Sequence, residues 1–330
     1  MIYIYVFLIS LILSLVLSPA TIKISERLNI FSKPKRKGKK GKPCLGGIGI
    51  YVAFLTGCSF LFFLYPTGLS GLRVLLIASS VIIILGLVDD AKDLRPFVKI
   101  IVETIVILGL LFFGFYTRIA FLPVWVNMLI TFLWMLFITN AFNLLDIVDG
   151  LASGLVVIIS LTLLTISIVN KDVVAGVILI AMIGAHLGFL KYNYPPAKLY
   201  MGDTGSLFSG FILGVTAINI SYASPERSLA LVTPVLAMSL AIYDTLFLII
   251  MRVRQGKPIF SKTNDHFTLR LLTMGYSMRK SLWGMYCFSI FLAICSLVLA
   301  FSSNIVGAVV LLIVILIFIF MGKKVGYRTL

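Results

Sequence analysis

Charge is scarce in this chain. Asp, Glu, Lys and Arg together make up 12% of its 330 residues, whereas roughly 25% is usual in soluble domains. A soluble fold must cover itself with polar side chains, and 60% hydrophobic residues with a mean hydropathy of +1.12 leave too few to do so. The solvent for most of the chain is therefore lipid. Cysteine is also sparse: Cys44, Cys58, Cys287 and Cys295 show no C-x-x-C spacing, and three lie in apolar runs. That argues against both a disulfide framework and a thiolate metal cage. There are two histidines, His186 and His266, and 12 acidic residues against 28 basic ones, for a formal net charge of +16. In a membrane chain an excess of Lys and Arg reports orientation before it reports an anionic ligand, so nucleic acid is not indicated as a partner.

What is abundant is the long apolar run. A bilayer core needs about 20 apolar residues per helix. Eleven runs qualify approximately, at 2–18, 45–65, 72–88, 98–116, 119–138, 150–169, 173–190, 205–222, 228–250, 281–301 and 304–321. The expected fold is all-α, a polytopic integral membrane protein of about 11 transmembrane helices forming a single domain over residues 1–330. The first run has no basic residue before it and a strongly basic segment after it, so it reads as a retained helix rather than a signal peptide. Between 98 and 138 the one clear break is Arg118. Charge tests whether that stretch is one helix or two. With eleven helices, 24 of the 28 Lys and Arg residues fall on one side of the membrane, leaving Arg73, Arg118, Lys171 and Arg227 on the other. Merging the pair would send the basic stretch 251–280 outside. The positive-inside rule then predicts an outer N-terminus and a cytoplasmic C-terminus. Cytoplasmic loops are expected near 19–44, 89–97, 139–149, 191–204 and 251–280. Eight of the 12 carboxylates fall on that same side, which makes it a candidate active site.

Four segments carry the chemistry. Asp89 and Asp90 close an apolar run, where adjacent carboxylates repel each other and oppose the helix C-terminal dipole; the pair calls for a cation, or it marks a polar boundary. Asn143, Asp146 and Asp149 recur every three residues, placing them on roughly one face of a helical or 3₁₀ turn. A plain polar loop would explain their acidity but not that spacing. In the stretch Tyr192–Ser206, glycines flank Asp203 just before a helix start. Such a start offers backbone donors to a phosphate, and Asp203 suits magnesium, although simple helix capping would use the same residues. In 251–280, Arg270 follows His266 by four residues and shares its face if helical, while His186 reads as a helix-packing residue. The basic run Lys33–Lys42 sets topology or touches anionic lipid, and its end at Pro43, Gly46 and Gly47 lets the backbone pass close to a ligand. Carboxylates for a metal, with cations and a helix start for phosphate, together indicate phosphoryl transfer involving a lipid.

These residues resemble the polyprenyl-phosphate N-acetylhexosamine-1-phosphate transferases, the family of MraY and WecA. The likeness rests on Asp89, Asp90, Asp93 and Pro96, on NLLDIVDG from Asn143, on YNYPPAKLYMGDTGS from Tyr192, and on Asp244 with Thr245. It implies magnesium-dependent transfer of a sugar 1-phosphate from a UDP-sugar to a polyprenyl phosphate such as undecaprenyl phosphate, releasing UMP, on the cytoplasmic face of the cell membrane. Under it, Asp89 and Asp90 prepare the lipid phosphate and Asp203 binds Mg²⁺. Asn143, Asp146, Asp149 and Asn193 hold the nucleotide sugar, Tyr200 stacks on uracil, Lys40 contacts substrate, and His266 and Arg270 serve catalysis. The family's several histidines in the 251–280 loop reduce here to His266, followed by Thr268 and Leu269. That reduction, with the VDDAKDLRP segment, favours the WecA-like branch and N-acetylglucosamine as the sugar. A homodimer is compatible with this reading but not specified by it. The competing readings are an ion-coupled transporter or flippase, which would concentrate its charges near the membrane midplane, and a catalytically inactive scaffold of the same family.

Overall fold

The computed structural model describes residues 1–32, 41–65, 67–222, 227–258 and 266–326. Lys40 and Asp265 lie outside the described residues. The described chain is helical throughout, with no strand apart from an isolated bridge between Phe31 and Pro43. It divides into two compact units, Met1–Ile220 and Ser221–Leu330.

The first unit contains α1 (Ile2–Arg27), α2 (Gly46–Leu64), α3 (Ser70–Lys92), α4 (Pro96–Phe112), α5 (Val124–Leu145), α6 (Leu151–Val169), α7 (Val173–Asn193) and α8 (Gly202–Asn219). The second contains a 3₁₀ turn (Ser228–Val232), α9 (Thr233–Ala237), α10 (Ser239–Arg254), α11 (Phe267–Thr273), α12 (Met278–Phe301) and α13 (Asn304–Gly326). Among the described residues, eight helices are long and apolar enough to cross a membrane, and the bent pair Ser228–Ala237 with Ser239–Arg254 makes a ninth if counted as one span. The protein is therefore a polytopic membrane protein. Two expected spans fall short by that measure. The α4 helix has 17 residues, and the 18-residue α8 carries Asp203, Asn219 and four hydroxyl side chains.

Helices in lipid approach closely where side chains are small. The α1 helix buries Ser10, Ser14, Ser18, Thr21 and Ser25 along one face. Against α7, Ser14 Oγ donates to Ala185 O at 2.6 Å, and a Cβ on Gly188 would stand 2.7 Å from Leu11 O. His186 is fully buried, its Nε2 3.1 Å from Ser209 Oγ on α8, as a packing residue should be.

The α4–α5 pair is two helices, and its break is built by more than Arg118. Thr117 N–H donates to Thr131 Oγ1 at 2.9 Å, Ile119 N–H donates to Asn127 Oδ1 at 3.0 Å, and Asn127 Nδ2 donates to Leu122 O at 3.1 Å. These polar groups satisfy the turning backbone. Helix limits depart from the apolar runs at the polar ends. The α1 helix continues to Arg27 and α5 to Leu145, so helix occupies much of what hydropathy assigns to loops. The run 228–250 is a different correction: the chain bends by 69° at Met238. Ser239 Oγ donates to Leu236 O at 2.7 Å, and Pro234 has no N–H to give the preceding turn.

Candidate active site

The polar cluster of the first unit forms where α3 ends and α4 and α8 begin. The last turn of α3 carries Asp89 and Asp90, and Asp93 closes it in the left-handed region at φ 50°. Asp89 Oδ1 accepts the Leu94 N–H at 2.6 Å, which ties down the turn leading to Pro96 at the start of α4. One turn into α4, the Lys99 ammonium lies 2.7 Å from Asp89 Oδ2 and 3.2 Å from Asp203 Oδ2. The same ammonium thus serves carboxylates 114 positions apart in the chain. Asp89 and Asp203 also approach each other, so the two acids and the one ammonium form a single interacting group. Asn143 Nδ2, near the end of α5, donates to Asp203 Oδ1 at 2.7 Å and to Ser206 Oγ at 3.0 Å.

Asp90 has a different task. Its Oδ1 accepts the Asp203 N–H at 2.8 Å, and its Oδ2 accepts the Thr204 N–H at 3.0 Å and the Thr204 hydroxyl at 2.6 Å. The start of α8, read from sequence as a phosphate cradle, is thus already capped by a carboxylate of α3, the anion its dipole favours. Gly202, at φ 70°, permits this: a Cβ there would stand 2.3 Å from Cys44 O and 2.4 Å from Asp90 Oδ2. The close approach that Gly46 and Gly47 allow is to the chain itself. Their N–H groups donate to Tyr200 O and Met201 O at 3.0 and 2.9 Å, while Tyr200 N–H donates to Pro43 O at 2.8 Å. This encloses Cys44, whose thiol is pushed up to about 12 by burial, with the charges of Asp90 and Asp203 adding to it.

A second group of site residues surrounds the loop after α7. The α5 helix ends at Leu145, so Asn143, Asp146 and Asp149 do not share a continuous helical face. Asn143 turns to Asp203, whereas buried Asp149 accepts the Ala197 N–H at 2.9 Å and lies 3.3 Å from Lys42 Nζ. Tyr200 hydrogen-bonds Asp149, and its ring carries the Lys42 ammonium 5.1 Å from the centroid. Burial first, then the charges of Asp149 and Asp146, raises the phenol above its ordinary range. Asn193 uses both ends of its amide on backbone. Its Oδ1 accepts the Gly150 N–H at 2.9 Å and its Nδ2 donates to Leu199 O at 2.9 Å, clamping the two loops together.

In the second unit, His266 Nδ1 lies 2.9 Å from Asp244 Oδ2, and Asp244 Oδ1 accepts the Phe267 N–H at 2.9 Å. One carboxylate on α10 thus orients the imidazole and caps α11. Arg270 follows one turn later, buried, with its guanidinium 5.4 Å from the Phe247 ring centroid.

Sequence reasoning did not single out Lys99, nor Asp244 as the partner of His266. Lys99 had a signal in being ten residues after Asp89, just past a helix-starting Pro96. The Asp244–His266 pair had only the unusual position of a carboxylate within an apolar run. Among the described residues, no three His, Cys, Asp or Glu side chains gather as a metal cage.

A buried and a half-buried carboxylate sharing one lysine, at the ends of apolar helices, define the polar cluster of a polytopic membrane protein. The comparisons give it a family. A model described as glycosyl transferase family 4 matches residues 72–221, a stretch that holds the whole Asp89, Lys99, Asn143 and Asp203 cluster. Over 322 residues the chain is 30% identical to a probable undecaprenyl-phosphate N-acetylglucosaminyl 1-phosphate transferase of Bacillus subtilis, covering 94% of this chain and 88% of that protein. It is 28% identical over 296 residues to a decaprenyl-phosphate N-acetylglucosaminephosphotransferase of Mycobacterium tuberculosis, covering 78% and 72% of the two chains. It is 29% identical over 304 residues to a phospho-N-acetylmuramoyl-pentapeptide-transferase of Streptococcus sanguinis, covering 84% and 90%. The chain belongs to the polyprenyl-phosphate N-acetylhexosamine-1-phosphate transferase family, the WecA/MraY-like group.

Proposed function

We propose that this protein transfers a sugar 1-phosphate, N-acetylglucosamine 1-phosphate in the first instance, from a UDP-sugar to polyprenyl phosphate as the initiating membrane step of envelope glycan synthesis. The observation that carries this reading is the convergence of Asp89 and Asp203 on Lys99. An oxygen of the lipid phosphate attacks the sugar-bearing phosphorus of the UDP-sugar. The bond from that phosphorus to the bridging oxygen breaks, and UMP leaves with the electron pair. Two anions must meet for this, and Lys99 supplies a fixed positive charge where they do. Asp89, held by Lys99, is placed to take a proton from the lipid phosphate. Asp90 holds the start of α8 and so fixes Asp203. Asp149, Tyr200 and Lys42 form the adjoining surface for the nucleotide sugar, with Asp146 beside them and Asn193 as the clamp beneath.

The donor set fits magnesium. Asp203 would offer hard carboxylate oxygens beside Lys99, and Mg²⁺ is commonly held by one or two carboxylates together with substrate phosphates. When bound it would neutralise phosphate charge in the same place as Lys99.

Eleven crossings follow if α4, α8 and the bent pair are counted with the eight long apolar helices. At 1.5 Å per residue, α4 reaches ~25 Å, close to the hydrocarbon thickness. With the basic connections kept inside by the positive-inside rule, we put the N-terminus outside and the cluster at the cytoplasmic face. A transporter would keep its ionisable groups near the midplane of broken helices; here Asp89, Asp90 and Asp203 sit at the ends of α3 and α8, and Asp244 of the bent span is engaged by His266. The test is UMP release by purified protein with polyprenyl phosphate, Mg²⁺ and a panel of UDP-sugars, with lipid omitted as control. Release that needs both lipid and Mg²⁺ is expected and names the sugar. No release with any sugar, from folded protein, would overturn the reading.

A further inference from the structure

At the other end of the same helices, away from the carboxylate cluster, a cavity of about 400 Å³ opens between the start of α3, the end of α4, the start of α7 and the end of α8. Its volume is that of a small-molecule pocket. Leu72, Leu75, Phe113, Phe115, Ile178 and Val215 give it apolar walls. Three polar side chains also line it: Asp172, Thr216 and Asn219.

The hydrogen-bonding state of those three defines the ligand. Asp172 Oδ1 accepts the Ala175 N–H at 3.0 Å as the N-cap of α7, and no other side-chain hydrogen bond engages this carboxylate among the described residues, leaving Oδ2 free. Thr216 is 3% exposed, and its hydroxyl has no partner. Asn219 donates its amide nitrogen to Val215 O at 2.8 Å, which leaves its Oδ1 as an acceptor. Together they offer three oxygens that accept, one of them a carboxylate, and no cationic side chain lines the cavity. A phosphate or carboxylate ligand would meet a carboxylate, with the Thr216 hydroxyl and the second Asn219 N–H as the side-chain donors. A primary ammonium, a cation with three donors and no acceptor, matches the set. We propose that this cavity binds an amphiphile with a primary ammonium head, its apolar part against the Leu and Phe walls, at a site separate from the transferase centre. The cavity has the same composition whatever reaction the far end performs.

The two sources of such a ligand are an aminophospholipid headgroup and a free long-chain amine. Native mass spectrometry of the purified full-length protein, titrated with phosphatidylethanolamine, phosphatidylglycerol, dodecylamine or dodecanol, separates them. Retention of phosphatidylethanolamine over phosphatidylglycerol assigns the site to the lipid. Retention of dodecylamine over dodecanol, without phosphatidylethanolamine, assigns it to a free amine. Asp172→Asn keeps a good helix cap while removing the charge, and is expected to weaken amine binding about tenfold, the worth of one charge-assisted hydrogen bond. Gly71→Leu is a second variant. A Cβ there meets Phe115 Cζ at an ordinary 3.6 Å, so the side chain fills cavity space without forcing the backbone, and should reduce binding of the amine as well. Both variants should release UMP at the wild-type rate if the parent does. Equal retention of the neutral, anionic and amine probes, or amine binding unchanged in Asp172→Asn, would overturn the proposal.

Discussion

Neighbouring residues with the same side chain do different work here. Asp89 faces the Lys99 ammonium at 2.7 Å, while Asp90 caps α8 through Asp203 N–H and Thr204 N–H. Asp89→Asn should therefore lower turnover with a smaller loss of melting temperature than Asp90→Asn, because its Oδ1 can still accept the Leu94 N–H and Lys99 keeps Asp203 as a partner. Asp90→Asn should lower the melting temperature together with activity, since an amide nitrogen would face N–H and O–H donors and charge-assisted bonds worth about 1.5–3 kcal/mol each would be lost. Thermal unfolding beside UMP release checks this; equal melting temperatures for the two variants would refute the division. Asp203→Asn preserves shape and leaves an oxygen for Asn143 Nδ2, so its effect reports charge. A fall of at least about 100-fold in UMP release is expected, the scale seen when an electrostatic stabiliser is removed. Wild-type rate and magnesium dependence in that variant would contradict the role. Cys44, its thiol raised to about 12, is protonated at pH 8. Because the thiolate is the reactive form, iodoacetamide at pH 8 should modify Cys44 only after denaturation, as peptide mass spectrometry would record; rapid labelling of folded protein would show the enclosing loop to be open.

At the scale of elements, the cluster exists because α3 and α8 nearly touch. A Cβ on Gly86 would stand 2.4 Å from Thr204 Cα and 2.6 Å from Thr204 N, both backbone atoms that cannot swing aside. Gly86→Ala should therefore push the helices apart, destabilise the protein by about 1–3 kcal/mol as overpacking does, and reduce activity by separating Asp90 from its donors. Unchanged melting and turnover would mean that the helices do not meet there. This contact also shows what the sequence could tell. Hydropathy found the helices because apolar length is a local property, and the spacing of Asp89, Asn143 and Asp203 marked the site because each lies at the polar end of an apolar run. It could not show that Asp90 caps a helix 113 residues away, that Lys99 lies between Asp89 and Asp203, or that Gly46 and Gly47 pair with Tyr200 and Met201, because those facts depend on which helix ends meet. The bend at Met238 was hidden for a related reason: Ser239 and Pro234 lower hydropathy only slightly, yet they redirect the backbone's hydrogen bonds.

For the molecule as a whole, the charge pattern and helix lengths make one joint prediction about the membrane. The stretch between α4 and α5 holds a turn stabilised by Asn127, Thr117 and Thr131; if both helices cross, every later connection keeps the side that the basic residues demand. Truncations fused to reporters at Arg118 and Lys257 test both ends of this argument. Under the proposed topology, green fluorescent protein fused after Lys257 should fluoresce and alkaline phosphatase fused after Arg118 should be active outside. If α4 did not cross, α5 onward would be inverted and the seven Lys and Arg residues of 251–280 would lie outside. Fluorescence after Arg118 with phosphatase activity after Lys257 would establish that inversion. It would also split the Asp89, Lys99 and Asp203 cluster, since the end of α3 and the start of α8 would then lie at opposite membrane faces.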